Sequence, residues 1–428
     1  MQFNKPIELF TKTVYNICWT KKDIYFTEGK INILKRFVYA DNAATTPVSR
    51  EVIDAMMPCF ESEWGNPSSP HSMGISAKDI LDDARARIAA TLGCSAGEIY
   101  FTSCGTEADN WAIRGAAMRM RAKGRDHIVT SKIEHHAVLH TCEALEKEGF
   151  KVTYVGVDSD GVVDLDELRN AVTDKTALVA IMYANNEIGT IEPIEEITEI
   201  AHAKGALMFT DAVQAVGNLD VDLSKLKVDM LALSGHKLHA PKGIGLLFIR
   251  KGVVINNLIE GGGQEKRKRG GTENLPYIVG LAKALELAKD KLSEMDRVTK
   301  MRDRLIDELT KIPYSKLNGH RTHRLPGLVN VGFEFIEGES MLLWLDLAGI
   351  CASTGSACSS ASLDASHVLL ACGVPHEKAH GSLRLSISTD TTDEDIDYII
   401  SQVGPIVEKL RNMSPLWEEI QKKEMVKG

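Results

Sequence analysis

The sequence contains no apolar run long enough to span a bilayer, so we expect neither a helical membrane protein nor a membrane partner. Its eight cysteines include no Cys-x-x-Cys pair, which leaves zinc ribbons and dithiol redox motifs unsupported, and they are too sparse for a disulfide scaffold. Residues 1–37 have no secretory h-region or cleavage site and do not resemble an acid-free transit peptide. These absences predict a cytoplasmic protein with reduced thiols, and the role of residues 1–37 stays open.

A surplus of positive charge is also absent. The net charge of -9 argues against nucleic acid or an anionic membrane as the main partner. A short basic run, Glu265–Arg269, is a local exception that is expected to be a solvated loop or a contact for an acidic partner surface. The 428 residues, of which 44% are hydrophobic and 25% charged, are typical of a globular protein with two or three domains.

From residue 38 onward, short β-branched runs alternate with stretches of helical periodicity. This alternation predicts an α/β protein with a largely parallel sheet. The seven predicted strands are Ile99–Thr102, His127–Ser131, Val152–Val157, Ala177–Met182, Ala206–Thr210, Met230–Leu233 and Gly245–Ile249. A broken helix is expected from Leu275 to Ile312, followed by a smaller α+β unit. We predict a large domain at residues 53–293, a small domain at 38–52 and 294–428, and an extension at 1–37.

In α/β sheets ligands bind at the carboxyl ends of strands, and three predicted strands end in unusual residues. The segment Phe101–Glu107 runs from a strand through small residues into a helix, whose first N–H groups suit a phosphate. Asp211 follows the next such strand, where a carboxylate can keep a pyridine nitrogen protonated, with Gln214 about one turn on. Each of these motifs is also explained by an ordinary helix cap.

The third strand end is Ser234–Lys237. A lysine at this place is suited to form a Schiff base with an aldehyde cofactor, while Ser234 and His236 are suited to hold a phosphate. A lone lysine is more often a solvated surface residue. The three motifs follow one another in the order phosphate turn, acid and lysine, and this order is more specific than any one of them.

A run of small residues, Ser353–Ser362, surrounds Cys358 and shows no apolar periodicity. This pattern predicts a mobile surface loop, where a cysteine is out of place as a core residue. The thiol is either incidental or a nucleophile that reacts as its thiolate. By contrast, Cys351 is interpreted as a strand residue and Cys104 as a structural part of the phosphate turn.

With these motifs together, the sequence resembles the cysteine desulfurases of the NifS/IscS type, which are class-V aminotransferases of fold type I that depend on pyridoxal 5'-phosphate. The resemblance runs from about Tyr39 to about Trp417. Besides the three strand ends, the matching segments are Tyr39–Pro47, Gly65–Ser69, Glu134–Val138, Asn185–Gly189, Gly261–Glu265, Gly271–Asn274 and Ser353–Cys358. The resemblance implies a large domain with a seven-stranded, mainly parallel sheet and a smaller α+β domain.

The resemblance also implies roles for individual residues. Lys237 matches the lysine that carries the cofactor, His135 matches a catalytic histidine that stacks on the cofactor ring, and Cys358 matches the nucleophile. The other positions that match cofactor ligands are Gly105, Thr106, Asp211, Gln214, Ser234, His236 and Thr272. The residue matching Thr272 is supplied by the other subunit, which implies a homodimer. The positions that match substrate ligands are Asn42, Asn186 and Arg384.

The implied activity is the conversion of L-cysteine to L-alanine, with a persulfide on Cys358 that supplies sulfur to an iron–sulfur scaffold protein of the U type. No intrinsic metal is expected, although Cys358 could transiently ligate a cluster on that partner. Alternatives are a selenocysteine lyase, another fold-type I lyase or aminotransferase, and a non-catalytic docking subunit. One departure from the family pattern is Arg267, which replaces a usual glycine and puts the conformation of its loop in doubt.

Overall fold

The computed structural model describes the backbone of residues 24–27, 30–33, 36–355 and 365–425, and the side chains of 36–355 and 365–422. The strands are β1 (Ile24–Thr27), β2 (Lys30–Ile33), β3 (Val38–Tyr39), β4 (Ile99–Thr102), β5 (His127–Ser131), β6 (Lys151–Val155), β7 (Thr176–Ala180), β8 (Leu207–Asp211), β9 (Met230–Ser234), β10 (Gly245–Ile249), β11 (Ser315–Leu317), β12 (Leu328–Phe333), β13 (Ile350–Cys351) and β14 (Ser382–Ser386). Among the described residues, no helix combines the length and the apolar character that a membrane crossing requires.

The helices are α1 (Arg50–Met56), α2 (Pro58–Glu61), α3 (Ser72–Leu92), α4 (Gly105–Arg121), α5 (His136–Lys147), α6 (Leu165–Ala171), α7 (Ile194–Ala203), α8 (Leu275–Lys291), α9 (Met295–Leu309), α10 (Gly338–Leu347), α11 (His367–Ala371), α12 (His376–Ala379), α13 (Asp393–Arg411) and α14 (Pro415–Met425). The predicted break in the long helix is confirmed, because the 3-10 turn Leu292–Glu294 separates α8 from α9.

A seven-stranded sheet of order β4-β10-β9-β8-β7-β5-β6 forms the centre of the larger unit. All its strands run in one direction except β10, which is antiparallel to both β4 and β9. The predicted α/β class and the mainly parallel sheet are therefore confirmed. Because the parallel strands point the same way, their carboxyl ends lie along one edge.

Both faces of this sheet are covered by helices, which is why its inner strands contain continuous apolar runs rather than a strict alternation. All five residues of β7, β9 and β10 are buried. Helix α4 packs one side of its surface inward through Ala108, Trp111, Ala112 and Ala116, which are fully or almost fully buried.

Two predicted strands extended too far at their carboxyl ends. The chain leaves the ladder after Val155, where the N–H of Gly156 donates to the carboxylate of Glu167. The next predicted strand parts from β5 after Ala180, where the N–H of Met182 donates to the carboxylate of Glu134, while Ile181 and Tyr183 still donate to the backbone of β8. In both places a side chain accepts the hydrogen bond that a strand would otherwise have made, and apolar periodicity does not reveal this exchange.

The smaller unit contains a three-stranded antiparallel sheet of order β11-β12-β14. Helices α9 and α10 pack against it, α13 packs against both helices, and together they bury a second apolar cluster. Strand β3 pairs in parallel with β13, so the chain around residues 38–39 lies with this unit rather than with the large sheet. Helix α13 begins with a capping box, in which the side chains of Thr392 and Asp395 accept hydrogen bonds from each other's backbone N–H groups.

The basic run Glu265–Arg269 is not a simple solvated loop. Glu265, Lys266 and Arg267 have φ angles of 45°, 59° and 64°, so three successive non-glycine residues adopt left-handed backbone conformations. Such conformations cost roughly 1–2 kcal/mol for each residue and must be held by other contacts. Arg267, which replaces the family's usual glycine, therefore keeps a glycine-like conformation.

Candidate functional site

A cavity of about 400 Å³ opens at the carboxyl edge of the large sheet, where the smaller unit closes over it. The predicted site residues that line it are Gly105, Thr106, His135, Asn186, Asp211, Gln214, Ser234, His236, Lys237 and Arg384. Nine of these residues lie at the ends of β4, β5, β7, β8 and β9 or in the segments that follow them. The tenth, Arg384, lies on β14 of the smaller unit. Groups that are distant in the chain are thus brought to one place by the parallel arrangement of the strands.

The amino terminus of α4 forms one wall of the cavity. Its N-cap residue, Cys104, makes no side-chain capping hydrogen bond, so the first N–H groups of the helix are left for another acceptor. A Cβ on Gly105 would lie 2.9 Å from Cγ2 of Val213, so only glycine fits this close approach. The hydroxyl of Ser234 faces Gly105, is buried, and has no hydrogen-bond partner among the described residues. This arrangement suits a phosphate.

Two buried carboxyl groups lie beside one another in the cavity wall. Asp211 is the last residue of β8, and its Oδ1 accepts the N–H of Val213 at 2.9 Å. Burial raises its pKa to about 6. Asp109 is also buried, its Oδ1 is unpartnered within the described structure, and burial and the nearby Asp211 hold its pKa well above the usual range. Two carboxyl groups in such a place favour a cationic ligand.

Lys237 ends the 3-10 turn Gly235–Lys237 that follows β9. Its Nζ donates to the backbone oxygens of Ala43 and Ala44, the second at 2.7 Å. These carbonyls belong to the segment that follows β3, so the amine is held at the boundary of the two units. Neighbouring His236 has its Nδ1 3.2 Å from Oγ1 of Thr45, and burial, together with the charge of Lys237, lowers its pKa to about 4.

His135 is the N-cap residue of α5, and its Nδ1 accepts the N–H of Ala137 at 3.2 Å. Burial lowers its pKa to about 4, and the charge of Lys237 acts in the same direction. The imidazole is therefore neutral near pH 7, with its proton on Nε2. A neutral ring of this kind can stack on an aromatic ligand and can exchange protons with it.

Arg384 lies on β14 and is almost fully buried. Its Nη1 donates to the backbone oxygen of Asn186 at 2.9 Å, and its Nη2 donates to Oδ1 of Asp41 at 3.0 Å. Its Nε is buried and finds no acceptor in the described part of the chain. A guanidinium with donors to spare in the cavity wall suits a ligand carboxylate.

Two predicted site residues that the structure describes, Asn42 and Thr272, do not line this cavity. Asn42 donates through Nδ2 to the backbone oxygen of Ser386 at 2.8 Å, and it lines a smaller cavity of about 50 Å³ on another side of Lys237. Thr272 is exposed on the surface. Cys358 lies outside the described residues.

Sequence reasoning missed several lining residues, above all Asp109, His136 and His367. Asp109 lies one helical turn after Gly105 on the buried side of α4, so a charged residue at an apolar helix position was the available signal. The rings of His136 and His367 lie 4.8 Å apart, and this pair had no signal because the two residues are distant in the chain.

The residues of the cavity fit pyridoxal phosphate. The unpartnered Ser234 hydroxyl and the uncapped start of α4 match its phosphate, and the two buried carboxyl groups match a protonated ring nitrogen. Lys237 supplies an amine on the same cavity. The cavity therefore suits a ligand that has an anionic group at one end and a cationic ring at the other.

Comparison with known proteins gives matches that cover most of this chain. The aminotransferase class-V family matches residues 38–399. A cysteine desulfurase IscS of Methanosarcina thermophila is 56% identical over 395 residues, which cover 92% of this chain and 98% of that protein. A solved NifS-like protein is 42% identical with a TM-score of 0.83, covering 88% of this chain and 100% of that chain. A solved SspA in complex with cysteine is 35% identical with a TM-score of 0.73, covering 82% and 98%. The chain therefore belongs to the class-V aminotransferase family and, within it, to the cysteine desulfurases.

Proposed function

We propose that this protein converts L-cysteine to L-alanine and takes the substrate sulfur as a persulfide on Cys358, using pyridoxal phosphate held in the 400 Å³ cavity. The observation that carries the proposal is the meeting of Lys237, Asp211 and Arg384 in one cavity, because these supply an amine, a buried acid and a carboxylate-binding guanidinium. Its relatives include cysteine desulfurases, and one similar solved protein is described in complex with cysteine.

The cofactor would be held by eight of the cavity-lining residues, which are Gly105, Thr106, His135, Asp211, Gln214, Ser234, His236 and Lys237. Gly105, Thr106 and Ser234 would bind the phosphate, with His236 beside them. Asp211 would pair with the ring nitrogen, and a cation next to this carboxylate favours its ionised form, which removes the cost of its burial. When bound, pyridoxal phosphate supplies an aldehyde for the substrate amine and a cationic ring that takes up the electron pair left at Cα.

The chain's own residues would then orient the substrate and move its protons. Arg384 would bind the cysteine carboxylate through its spare Nε–H, with Asn186 beside it. Because Asp41 and the Asn186 carbonyl already fix two of the guanidinium nitrogens, the arginine is pre-oriented and loses little freedom on binding. Nζ of Lys237 would take the Cα proton, and neutral His135 would exchange protons at the ring.

The sulfur transfer balances without any added oxidant. The thiolate of Cys358 attacks the substrate Sγ, an S–S bond forms, and the substrate Cβ–Sγ bond breaks. The electron pair of that bond stays with the carbon fragment, which takes up protons and leaves as alanine. Cysteine and one protein thiol thus become alanine and one protein persulfide.

We further propose a homodimer, in which the exposed Thr272 contributes to the phosphate site of the partner subunit, and an iron–sulfur scaffold protein of the U type as the sulfur acceptor. Thr272 lies outside the cavity of its own chain, which is the placement that a residue serving a second copy would have.

The test is incubation of the holoenzyme with L-cysteine, followed by mass measurement of its peptides. We expect an added sulfur on the peptide that contains Cys358 and release of one alanine for each persulfide. The Cys358→Ser variant should keep the visible absorption band of the cofactor but form no persulfide. The Lys237→Ala variant should lose the band of the lysine-bound cofactor.

A matched control is Cys94→Ser, because Cys94 is half-buried near the far end of α3 and does not line the cavity. This variant should behave as the wild type. Persulfide on a cysteine other than Cys358, or unchanged sulfide release by Cys358→Ser, would contradict the proposal.

A further inference from the structure

The basic run Glu265–Arg269 is bonded to the 3-10 turn that precedes β4 and to the first turn of α4. Lys266 donates through Nζ to the backbone oxygens of Ala96 and Gly97 at 3.1 and 2.9 Å. Arg269 forms a two-pronged pair with Glu107, from Nε to Oε1 at 2.9 Å and from Nη2 to Oε2 at 3.1 Å. Their side chains are 22% and 10% exposed, so solvent screens this pair only in part.

Glu107 links Arg269 to the turn that would bind the phosphate. It is the third residue of α4, directly after Gly105 and Thr106. Its Oε2 also accepts the backbone N–H of Ser103 at 2.8 Å and the Ser103 hydroxyl. One carboxylate therefore fixes the backbone just before the helix, while Arg269 fixes that carboxylate.

The position of Glu107 creates an electrostatic conflict. A carboxylate in the first turn of a helix is favourable by itself, but a phosphate bound at the same helix start is a second anion in the same place. Two like charges at one helix start, in a partly buried site, repel each other more strongly than they would in water. Arg269 is paired with both Glu107 oxygens and removes this repulsion.

We propose that Glu107 and Arg269 are positioning residues for the cofactor phosphate, an inference that rests on the proposed function. Glu107 holds the Ser103–Thr106 turn in shape, and Arg269 cancels the charge that would otherwise repel the phosphate. The pair also attaches the chain that leads to Thr272 to this turn, so the loop and the phosphate site form one unit.

The test compares cofactor binding by the wild type, Arg269→Gln, Glu107→Gln and the double variant, using pyridoxal phosphate and pyridoxal, which lacks the phosphate. We expect Arg269→Gln to weaken pyridoxal phosphate binding at least about tenfold, because a bare carboxylate then faces the phosphate. Pyridoxal binding should change by less than about twofold, since no phosphate is present to repel. The double variant should bind pyridoxal phosphate more tightly than Arg269→Gln alone, because it has lost the carboxylate charge.

The matched control is Arg87→Gln, which breaks a similar two-pronged pair with Glu286 at 2.6 and 2.8 Å, away from the cavity. It should leave the binding of both ligands unchanged. Equal weakening of pyridoxal and pyridoxal phosphate by Arg269→Gln, or a double variant that binds worse than Arg269→Gln, would overturn the inference and indicate a merely structural pair. Failure of the wild type to bind pyridoxal phosphate would instead overturn the proposed function.

Discussion

Replacing Arg85 with methionine should destabilise the protein more than any change to a surface ion pair. Arg85 forms a buried two-pronged pair with Glu265, at 2.6 and 2.9 Å, and the two side chains are 9% and 3% exposed. The guanidinium also donates to the backbone oxygen of Ile99 at 2.9 Å and lies over the ring of Phe101. Methionine keeps the apolar contact but leaves the Glu265 carboxylate buried without its cation, which typically costs about 3–5 kcal/mol.

Part of this cost comes from the strained turn. Glu265 and the two residues that follow have left-handed backbone conformations, and the Arg85 pair is one of the contacts that hold them there. The Phe101 N–H, which donates to Glu265 at 2.9 Å, cannot hold the turn by itself. We therefore expect the 264–271 segment of the variant to gain protease sensitivity as well.

The assay is urea unfolding followed by tryptophan fluorescence, at one protein concentration and with the cofactor bound. The control is Arg50→Met, because Arg50 and Asp54 form an exposed pair at 2.8 Å with side chains 70% and 54% exposed, and its loss should cost at most about 0.5 kcal/mol. Arg85→Met with Glu265→Gln should recover much of the loss, since no unpaired charge is then buried. If Arg85→Met is no more destabilising than Arg50→Met, the reasoning about the buried pair is refuted.

Three further outcomes are expected. Arg384→Gln should raise the KM for cysteine about 10- to 100-fold while the cofactor band persists, because it removes a charged donor to the substrate carboxylate; an unchanged KM in steady-state kinetics would exclude that role. Gly105→Ala should weaken cofactor binding about tenfold through the 2.9 Å approach to Val213, whereas Gly97→Ala, whose added Cβ meets nothing within 4 Å, should not; equal affinities in a titration would refute the close-packing argument. Glu192 is buried, its Oε1 has no partner in the described structure, and burial raises its pKa to about 8. The folded state therefore favours the protonated carboxyl, and the stabilisation from this protonation is fully present below pH 4.5 and is lost as the pH rises through 8. Glu192→Gln should therefore gain stability relative to the wild type between pH 5 and pH 8, by about 1 kcal/mol or more, and a pH-independent difference in unfolding midpoint would contradict this sign.

Much of the fold could be predicted because the large sheet is buried on both faces. Continuous apolar runs mark strands of this kind, and the observed bounds of β4, β5 and β10 are the predicted ones. Periodicity carries no information about strand order or direction, however. The antiparallel direction of β10 and the pairing of β3 with β13 depend on long-range contacts that no local pattern encodes.

The candidate site was predictable where polar residues lie at the end of an apolar strand or in the turn after it, as Asp211 and Lys237 do. It was not predictable where a residue acts through a partner that is distant in the chain. The basic run is the clearest case, since Arg85 and Glu107 decide its conformation and neither lies near it in sequence. Charge composition alone indicated a solvated loop, which agrees with the exposure of Lys266 but not with Arg269, whose side chain is 22% exposed and paired with Glu107.

Strand β10 begins with a residue that sets how closely the chain can pass over the sheet. Gly245, its first residue, lies between Thr102 of β4 and Ser234 of β9, so the middle position of this row has no side chain. A Cβ on Gly245 would lie 2.6 Å from the carbonyl carbon of Cys104. The backbone of Cys104, which leads into α4 and lines the cavity, therefore rests directly against β10, and any larger residue at position 245 would push the proposed phosphate-binding turn away from the sheet.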